Sequence, residues 1–254
     1  MDIRFFGHAC FQLTDEEGRR VIVDPCEPGA FGGALDYHPP QGRADVVLVS
    51  HEHADHSYVR GVQGRPVVLR DSGEAAGVSF RAVKVPHDRL AGRVRGTLMA
   101  FCLQMDGVRC CHLGDLGDTL SPDQVAGIGD VDVLMVPVGG TYTIDARTAW
   151  DVVEQLEPRI VIPMHYRTER TLLPLDPVTE FLHGRRDVDR GLTDTLSLHA
   201  SGLTERRRVV VLEAARGHAA WPAVDEPTTA ERETVGQAKR AAYAPACHSP
   251  KRAG

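Results

Sequence analysis

The sequence predicts an α/β fold, with sheets flanked by helices, on three observations. Apolar runs of strand length recur along the chain, and several are continuous rather than alternating, as strands covered on both faces are. Turn signals rich in Gly and Asp separate the early runs, the mark of hairpins. A stretch with apolar residues at helical spacing lies between two of the later runs.

In chain order, DIRFFG (2–7) and ACFQLT (9–14) read as strands meeting at Gly7-His8, and DEEG (15–18) as a turn into RRVIVD (19–24). A loop rich in Pro and Gly fills 25–42. ADVVLVS (44–50) is a buried strand, and a short helix is expected near 57–62. PVVL (66–69), VSFRAVKV (78–85), TLMAFCLQM (97–105) and VRCCHLG (108–114) follow as strands. Met105-Asp106-Gly107-Val108 reads as a tight hairpin, because Asp-Gly tolerates positive φ. VDVLMVPV (131–138) and RIVIPM (159–164) are further buried strands. Between them, 145–158 reads as a helix: Ala149, Val152, Val153 and Leu156 share a face, and Pro158 stops it. A short helix over 177–183 and strands in TLSLHA (195–200) and RRVVVLEA (207–214) complete the pattern.

At 254 residues the chain suits one large domain or two small ones. Its 42% hydrophobic and 25% charged content exclude a wholly disordered chain, a collagen-like fibre and a disulfide-dense miniprotein. The net charge of −6 argues against nucleic acid as the main ligand, since phosphate binding rests on a Lys/Arg surface. The six cysteines form no C-x-x-C pair and read as reduced thiols. No basic stretch followed by an apolar run opens the sequence, and no apolar run approaches the ~18 residues of a membrane span. The expectation is a cytoplasmic protein acting on a small molecule, without a membrane partner. From about Gly217 the composition shifts to Ala, Pro and charge, so 1–216 is read as the domain and 217–254 as a disordered tail.

The chemistry concentrates in SHEHADHS (50–57), which sets His51, His53, Asp55 and His56 within six positions after a buried strand. Alternate residues of an extended stretch point the same way, so His51 and His53 can bite one ion as a pair. Asp55 and His56 lie at a turn just beyond and can face a second. Three other apolar runs end on ligand types, at His87, Asp115 and His165, and functional groups collect past the carboxyl ends of strands. Asp115 is the natural carboxylate to bridge two cations. Imidazole suits zinc, iron, nickel or copper, and carboxylate oxygen extends the range to manganese. Asp24, ending RRVIVD, is the candidate acceptor for the second nitrogen of a ligating histidine.

HEHADH resembles the H-x-H-x-D-H signature of the metallo-β-lactamase fold superfamily, and His87, Asp115 and His165 follow in that superfamily's order. More narrowly, GHACFQL (7–13), Asp24-Pro25, HLGD (112–115), VPVGGTYTID (136–145) and IPMHY (162–166) look like small bacterial metal-dependent hydrolases related to ascorbate-6-phosphate lactonase. The likeness covers about residues 1–170. It implies a four-layer αββα sandwich with a metal cleft at one edge of the sheets. It implies that His51, His53 and His87 hold a first ion, that Asp55, His56 and His165 hold a second, and that Asp115 bridges them. Many relatives take the third ligand from a Gly-His-Thr loop, whereas here it comes from Pro86-His87-Asp88.

The activity so implied is hydrolysis of a small-molecule ester, lactone, phosphoester or amide by hydroxide generated between two divalent ions, zinc foremost, with manganese or iron as alternatives. Asp55 would also orient the attacking water. The resemblance sets His8, Tyr142 and Tyr166 beside the site as further catalytic candidates, and Arg167 as one for an anionic substrate. The alternative on the same fold is an iron-dependent redox enzyme of the sulfur dioxygenase kind.

Overall fold

Hydrophobic patterning sorts the strands into two sheets facing one another. The computed structural model describes residues 1–191 and 193–216. The first sheet opens with an antiparallel meander of β1 (Asp2–Gly7), β2 (Cys10–Thr14) and β3 (Arg20–Val23). After a loop holding one broken helical turn, α1 (Ala30–Gly33), β4 (Val46–Leu48) and β5 (Val67–Leu69) add in parallel to β3. The second sheet begins antiparallel with β6 (Gly73–Ala75), β7 (Val78–Pro86), β8 (Thr97–Met105) and β9 (Val108–His112). Helix α2 (Pro122–Ile128) leads to β10 (Val133–Pro137), and α3 (Ala146–Leu156) to β11 (Ile160–Met164), both strands parallel to β9. Beyond α4 (Val178–Leu182), β12 (Val188–Arg190) and β14 (Arg208–Val211) extend this sheet, while β13 (Thr195–Ser197) crosses to pair with β1.

The inner faces share one core: Ile3, Phe5, Phe11 and Leu48 meet Phe80, Phe101, Met135 and Ile162. Every residue of β10 and β11 is buried. Met135 and Ile162 enter the inter-sheet core, whereas Leu134, Val136 and Val161 face Ala149, Val152, Val153 and Leu156 of α3. Coverage on both sides is why these strands read as continuous apolar runs. Asp145 caps α3 by accepting from the Thr148 amide at 2.9 Å, and Glu157 ends it in the left-handed region before Pro158.

The sandwich matches the sequence expectation, with one thin layer. Helices α2, α3 and α4 contribute to the core outside the second sheet. Outside the first, Phe6, Ile22, Val47 and Val49 pack among the described residues with Ala44, Val62, Ala215 and a single 3₁₀ turn, Val59–Gly61. That turn is the helix expected near 57–62. The Asp106-Gly107 hairpin forms as read, both residues at positive φ (48° and 75°). Cysteines 10, 26, 102, 110 and 111 are buried free thiols. The tail over 217–254 lies outside the described residues. No helix among the described residues is long and apolar enough to cross a membrane.

The parallel strands have two distinct polar ends. At their amino ends stand Arg109, Asp132 and Arg159, from three neighbouring strands. At their carboxyl ends stand Asp115 and His165, with Asp24, His51 and His87 at the corresponding ends of β3, β4 and β7.

Candidate metal centre

The segment after β4 folds back on itself through the His53 carbonyl, which accepts from the His56 amide (3.0 Å) and the Ser57 hydroxyl (2.9 Å). This turn splits the motif as its spacing implied. His51 and His53 stay together, their ring nitrogens 2.9 Å apart, and gather with His87. Asp55 and His56 gather with His165 and His8. Within each set the potential ligand atoms lie within 4.8 Å of one another.

Asp115 stands between the sets and turns one oxygen to each. Its Oδ2 lies 3.9 Å from His51 Nε2 and 3.7 Å from His87 Nε2. Its Oδ1 lies 3.1 Å from His56 Nε2 and 3.5 Å from His165 Nε2. All seven ligand candidates read from the sequence therefore converge. His8 joins them: its Nε2 pairs with Asp55 Oδ2 at 2.8 Å, and its ring centroid lies 4.0 Å from that of His165. The backbone supports this contact, since the His8 carbonyl accepts from the His165 amide at 2.7 Å and both residues take positive φ.

Asp24 fixes the orientation of histidines in both sets. Fully buried at the end of β3, it accepts from the Ser50 amide (2.7 Å), the Ser50 hydroxyl (2.6 Å) and His56 Nδ1 (2.9 Å). The Ser50 hydroxyl spends its proton on Asp24, so at 2.9 Å it accepts from His51 Nδ1. Both imidazoles thus spend Nδ1 as a donor and turn Nε2 towards Asp115, so that Nε2 is the atom left for a cation. Ser50 was not singled out in the sequence. Neither was buried His112, whose Nε2 donates to the Ala9 carbonyl (2.8 Å) while its Nδ1 accepts from the Gly114 amide (3.1 Å). With both nitrogens satisfied, His112 ties the loop carrying Asp115 to the turn carrying His8.

Two glycines let the loops approach. A Cβ on Gly117 would fall 2.1 Å from the Asp88 amide nitrogen, and one on Gly139 would fall 2.1 Å from the His165 carbonyl oxygen. Only a residue without a side chain lets these backbones pass so closely.

The electrostatics follow from burying acids among imidazoles. Burial pushes the Asp55 and Asp115 carboxyls up, but neighbouring histidines outweigh it and hold both well below the usual carboxylate range. Burial likewise opposes charge on His56, yet Asp115, Asp55 and Asp24 raise it well above an ordinary imidazole. His51 drops to about 3 and His8 to about 4, chiefly through burial and then a neighbouring histidine. Burial also lowers His87, with Arg95 among the charges opposing its protonation.

The donor set fits a cation. Asp55 Oδ1, Asp115 Oδ1, His56 Nε2, both nitrogens of His87, and Nδ1 of His8 and His165 are buried with no hydrogen-bond partner. Buried polar atoms without partners are costly, and such a concentration points to a group that would satisfy them. Imidazole and carboxylate suit divalent transition ions, zinc included.

The tyrosines separate. Tyr142 lines a cleft of about 360 Å³ that includes His87. Tyr166, read as catalytic, instead packs in the core beneath α3, and its hydroxyl donates to the Leu212 carbonyl at 3.4 Å. That hydroxyl is assigned to a backbone oxygen and not to the histidine cluster. Arg167 is exposed and does not line the cleft.

Residues 2–165 match the family model described as a beta-lactamase superfamily domain. A metal-dependent hydrolase from Carboxydothermus hydrogenoformans is 31% identical over 202 residues, covering 66% of this chain and 85% of the relative. One from Thermoplasma acidophilum is 30% identical over 193 residues, covering 66% and 84%. Among solved structures, a candidate zinc-dependent hydrolase of the metallo-beta-lactamase superfamily from Thermotoga maritima superposes with a TM-score of 0.68 at 37% identity. That match covers 83% of this chain and 97% of the other.

Proposed function

The chain belongs to the beta-lactamase superfamily domain family and is a metal-dependent hydrolase; from that premise we propose that it cleaves a small-molecule ester, lactone, phosphoester or amide at a centre of two divalent ions. The observation that carries the reading is Asp115, with one carboxylate oxygen facing each histidine set. His51, His53 and His87 would hold one ion, Asp55, His56 and His165 the other, and Asp115 both.

Ions so held would supply Lewis acidity towards the substrate's carbonyl or phosphoryl oxygen and bring the pKa of water near neutrality. The protein's own part is orientation and proton control. Asp24 and Ser50 keep His56 and His51 in the tautomer that leaves Nε2 free. Asp55 is held ionised, so it can orient a water by accepting its hydrogen bond. His8 Nε2 donates to Asp55 Oδ2 and holds that carboxylate in place. Tyr142 borders the cleft in which the substrate would lie and can donate to it. No side-chain nucleophile is needed, and no cysteine belongs to the three ligand clusters found among the described residues.

The reading is tested by elemental analysis of protein purified without chelator, followed by turnover of nitrophenyl esters, lactones and a phosphodiester. The expected result is about two divalent ions per chain, with hydrolysis lost on chelation and restored by zinc or manganese. A chain holding iron that oxidises substrate with dioxygen and hydrolyses nothing would overturn it.

A further inference from the structure

The cleft beside His87 carries charge in an unequal way. Its wall is the loop after β7, and Asp88 organises that loop. Asp88 Oδ1 accepts from the Leu90 and Gly92 amides (2.8 and 3.1 Å), and Oδ2 from those of Val94 and Arg95 (2.9 and 2.7 Å). The loop is thereby pre-shaped, and Asp88 is spent on its backbone. Arg89 is spent on Asp145 (2.6 Å), whose second oxygen caps α3. Arg95 differs. Among the described residues it forms no ion pair with a carboxylate; its guanidinium lies over the Tyr142 ring, 4.7 Å from the centroid. An aromatic face steadies a cation without neutralising it. The cleft's remaining acid is the exposed Asp176, whose backbone is pinned through its amide to the Gly139 carbonyl (2.8 Å).

We propose that Arg95, seated on Tyr142, is a specificity-determining residue that binds a single carboxylate on the substrate, so that the enzyme acts on esters or lactones bearing one free carboxylate group. Of the two arginines that line the cleft, Arg95 alone has no carboxylate partner among the described residues, and on a pre-shaped loop beside His87 it is suited to hold a monoanion while the scissile bond faces the metal centre. Guanidinium matches carboxylate as a two-point donor. Asp176 disfavours a second negative charge in the same cleft, which ranks a carboxylate above a phosphate monoester. This deepens the hydrolase reading and rests on it.

The test pairs a neutral and an anionic ester of the same leaving group, 4-nitrophenyl acetate and mono-4-nitrophenyl glutarate, on the metal-loaded full chain. The wild type should favour the glutarate ester by about tenfold in kcat/KM, through KM, as expected for a partly exposed charge-assisted contact. Arg95→Gln should abolish that preference and leave acetate turnover unchanged, and Arg95→Lys should keep part of it. A preference that survives Arg95→Gln, or an equal loss on both esters, overturns the proposal. If neither ester is cleaved, the hydrolase reading fails on its own account, and calorimetry with monomethyl glutarate, a monoanion, still decides the subsite. Binding about tenfold weaker in Arg95→Gln than in wild type supports it. Equal affinity in both proteins, or phosphate binding more tightly than monomethyl glutarate, overturns it.

Discussion

The parallel strands β9, β10 and β11 end in buried acid clusters at both tips, and the two are built on opposite terms. At the amino ends, Asp132 accepts from the Arg109 amide, Nε and Nη2, each at 2.9 Å, and Arg159 Nη1 stands 3.8 Å away. No Asp132 oxygen lacks a partner. At the carboxyl ends, Asp115 and Asp55 each keep a buried oxygen without one, and the histidines around them leave nitrogens bare. Arginine cannot give up its proton and closes the first cluster as a clamp. Histidine can present a lone pair and leaves the second open to a cation. One end holds the sheet together; the other is arranged at the fold's expense to hold something else.

The largest expected effect breaks the open end directly. His53→Ala or Asp55→Asn should lose an ion and cut hydrolysis by more than about a thousandfold, since several kcal/mol of charge stabilisation depend on the ions. The circular dichroism spectrum should stay close to wild type. Metal content by mass spectrometry and turnover check it together, and full activity in both variants would falsify the assignment of the open cluster.

A smaller effect is expected one step removed. Asp24→Asn keeps the shape but weakens the acceptor that holds His56 directly and His51 through Ser50. Metal affinity should fall by about 10- to 100-fold, measured by chelator competition. Because Asp24 reaches a histidine of each set, both ions should be affected. Loss confined to one would show that Ser50 does not couple the sets.

The contrast between the ends also explains what could be read in advance. The open end was legible because its chemistry needs particular residue types at strand ends, and His51, His53, Asp55 and His56 crowd into one stretch. The core strands were legible because β10 and β11 are buried at every position. Asp132 and its arginines were not, because a lone acid before an apolar run looks like any turn residue until Arg109 is known to be its neighbour across the sheet. Helix α2 was missed although its capping signal, Pro122 after Ser121 with Gln124 at the third position, was present; only seven residues long, it lacks the repeated apolar spacing that marks α3. Tyr166 was misread because adjacency to His165 says nothing of side-chain direction. The chain turns at His165, which sits at positive φ beyond the end of β11, and the hydroxyl of the next residue ends on Leu212. Arg95 was invisible because its distinction is the lack of an acidic partner, which no sequence displays.

The smallest expected effect on catalysis belongs to the closed end. Asp132→Asn removes the charge from a cluster at the opposite strand ends from the candidate metal ligands, so kcat/KM should change by less than about twofold, while stability falls by about 2 kcal/mol, the scale of a buried charge-assisted hydrogen bond. The pH dependence gives the sign. Arg109's hydrogen bonds, against a smaller opposing effect of burial, hold the Asp132 carboxyl below its ordinary value. A group depressed in the folded state stabilises above its unfolded pKa, about 3.9 for Asp, and loses that contribution as pH falls through the folded value. The melting-temperature gap between wild type and Asp132→Asn should therefore be full at pH 6 and narrow below about pH 4, as scanning calorimetry of the chelated proteins would record. Chelation removes the ions, so that the open end cannot contribute its own proton–metal competition to the same window. A gap that stays constant down to pH 3 would mean that packing at Asp132, and not its ionisation, secures the amino ends of the strands.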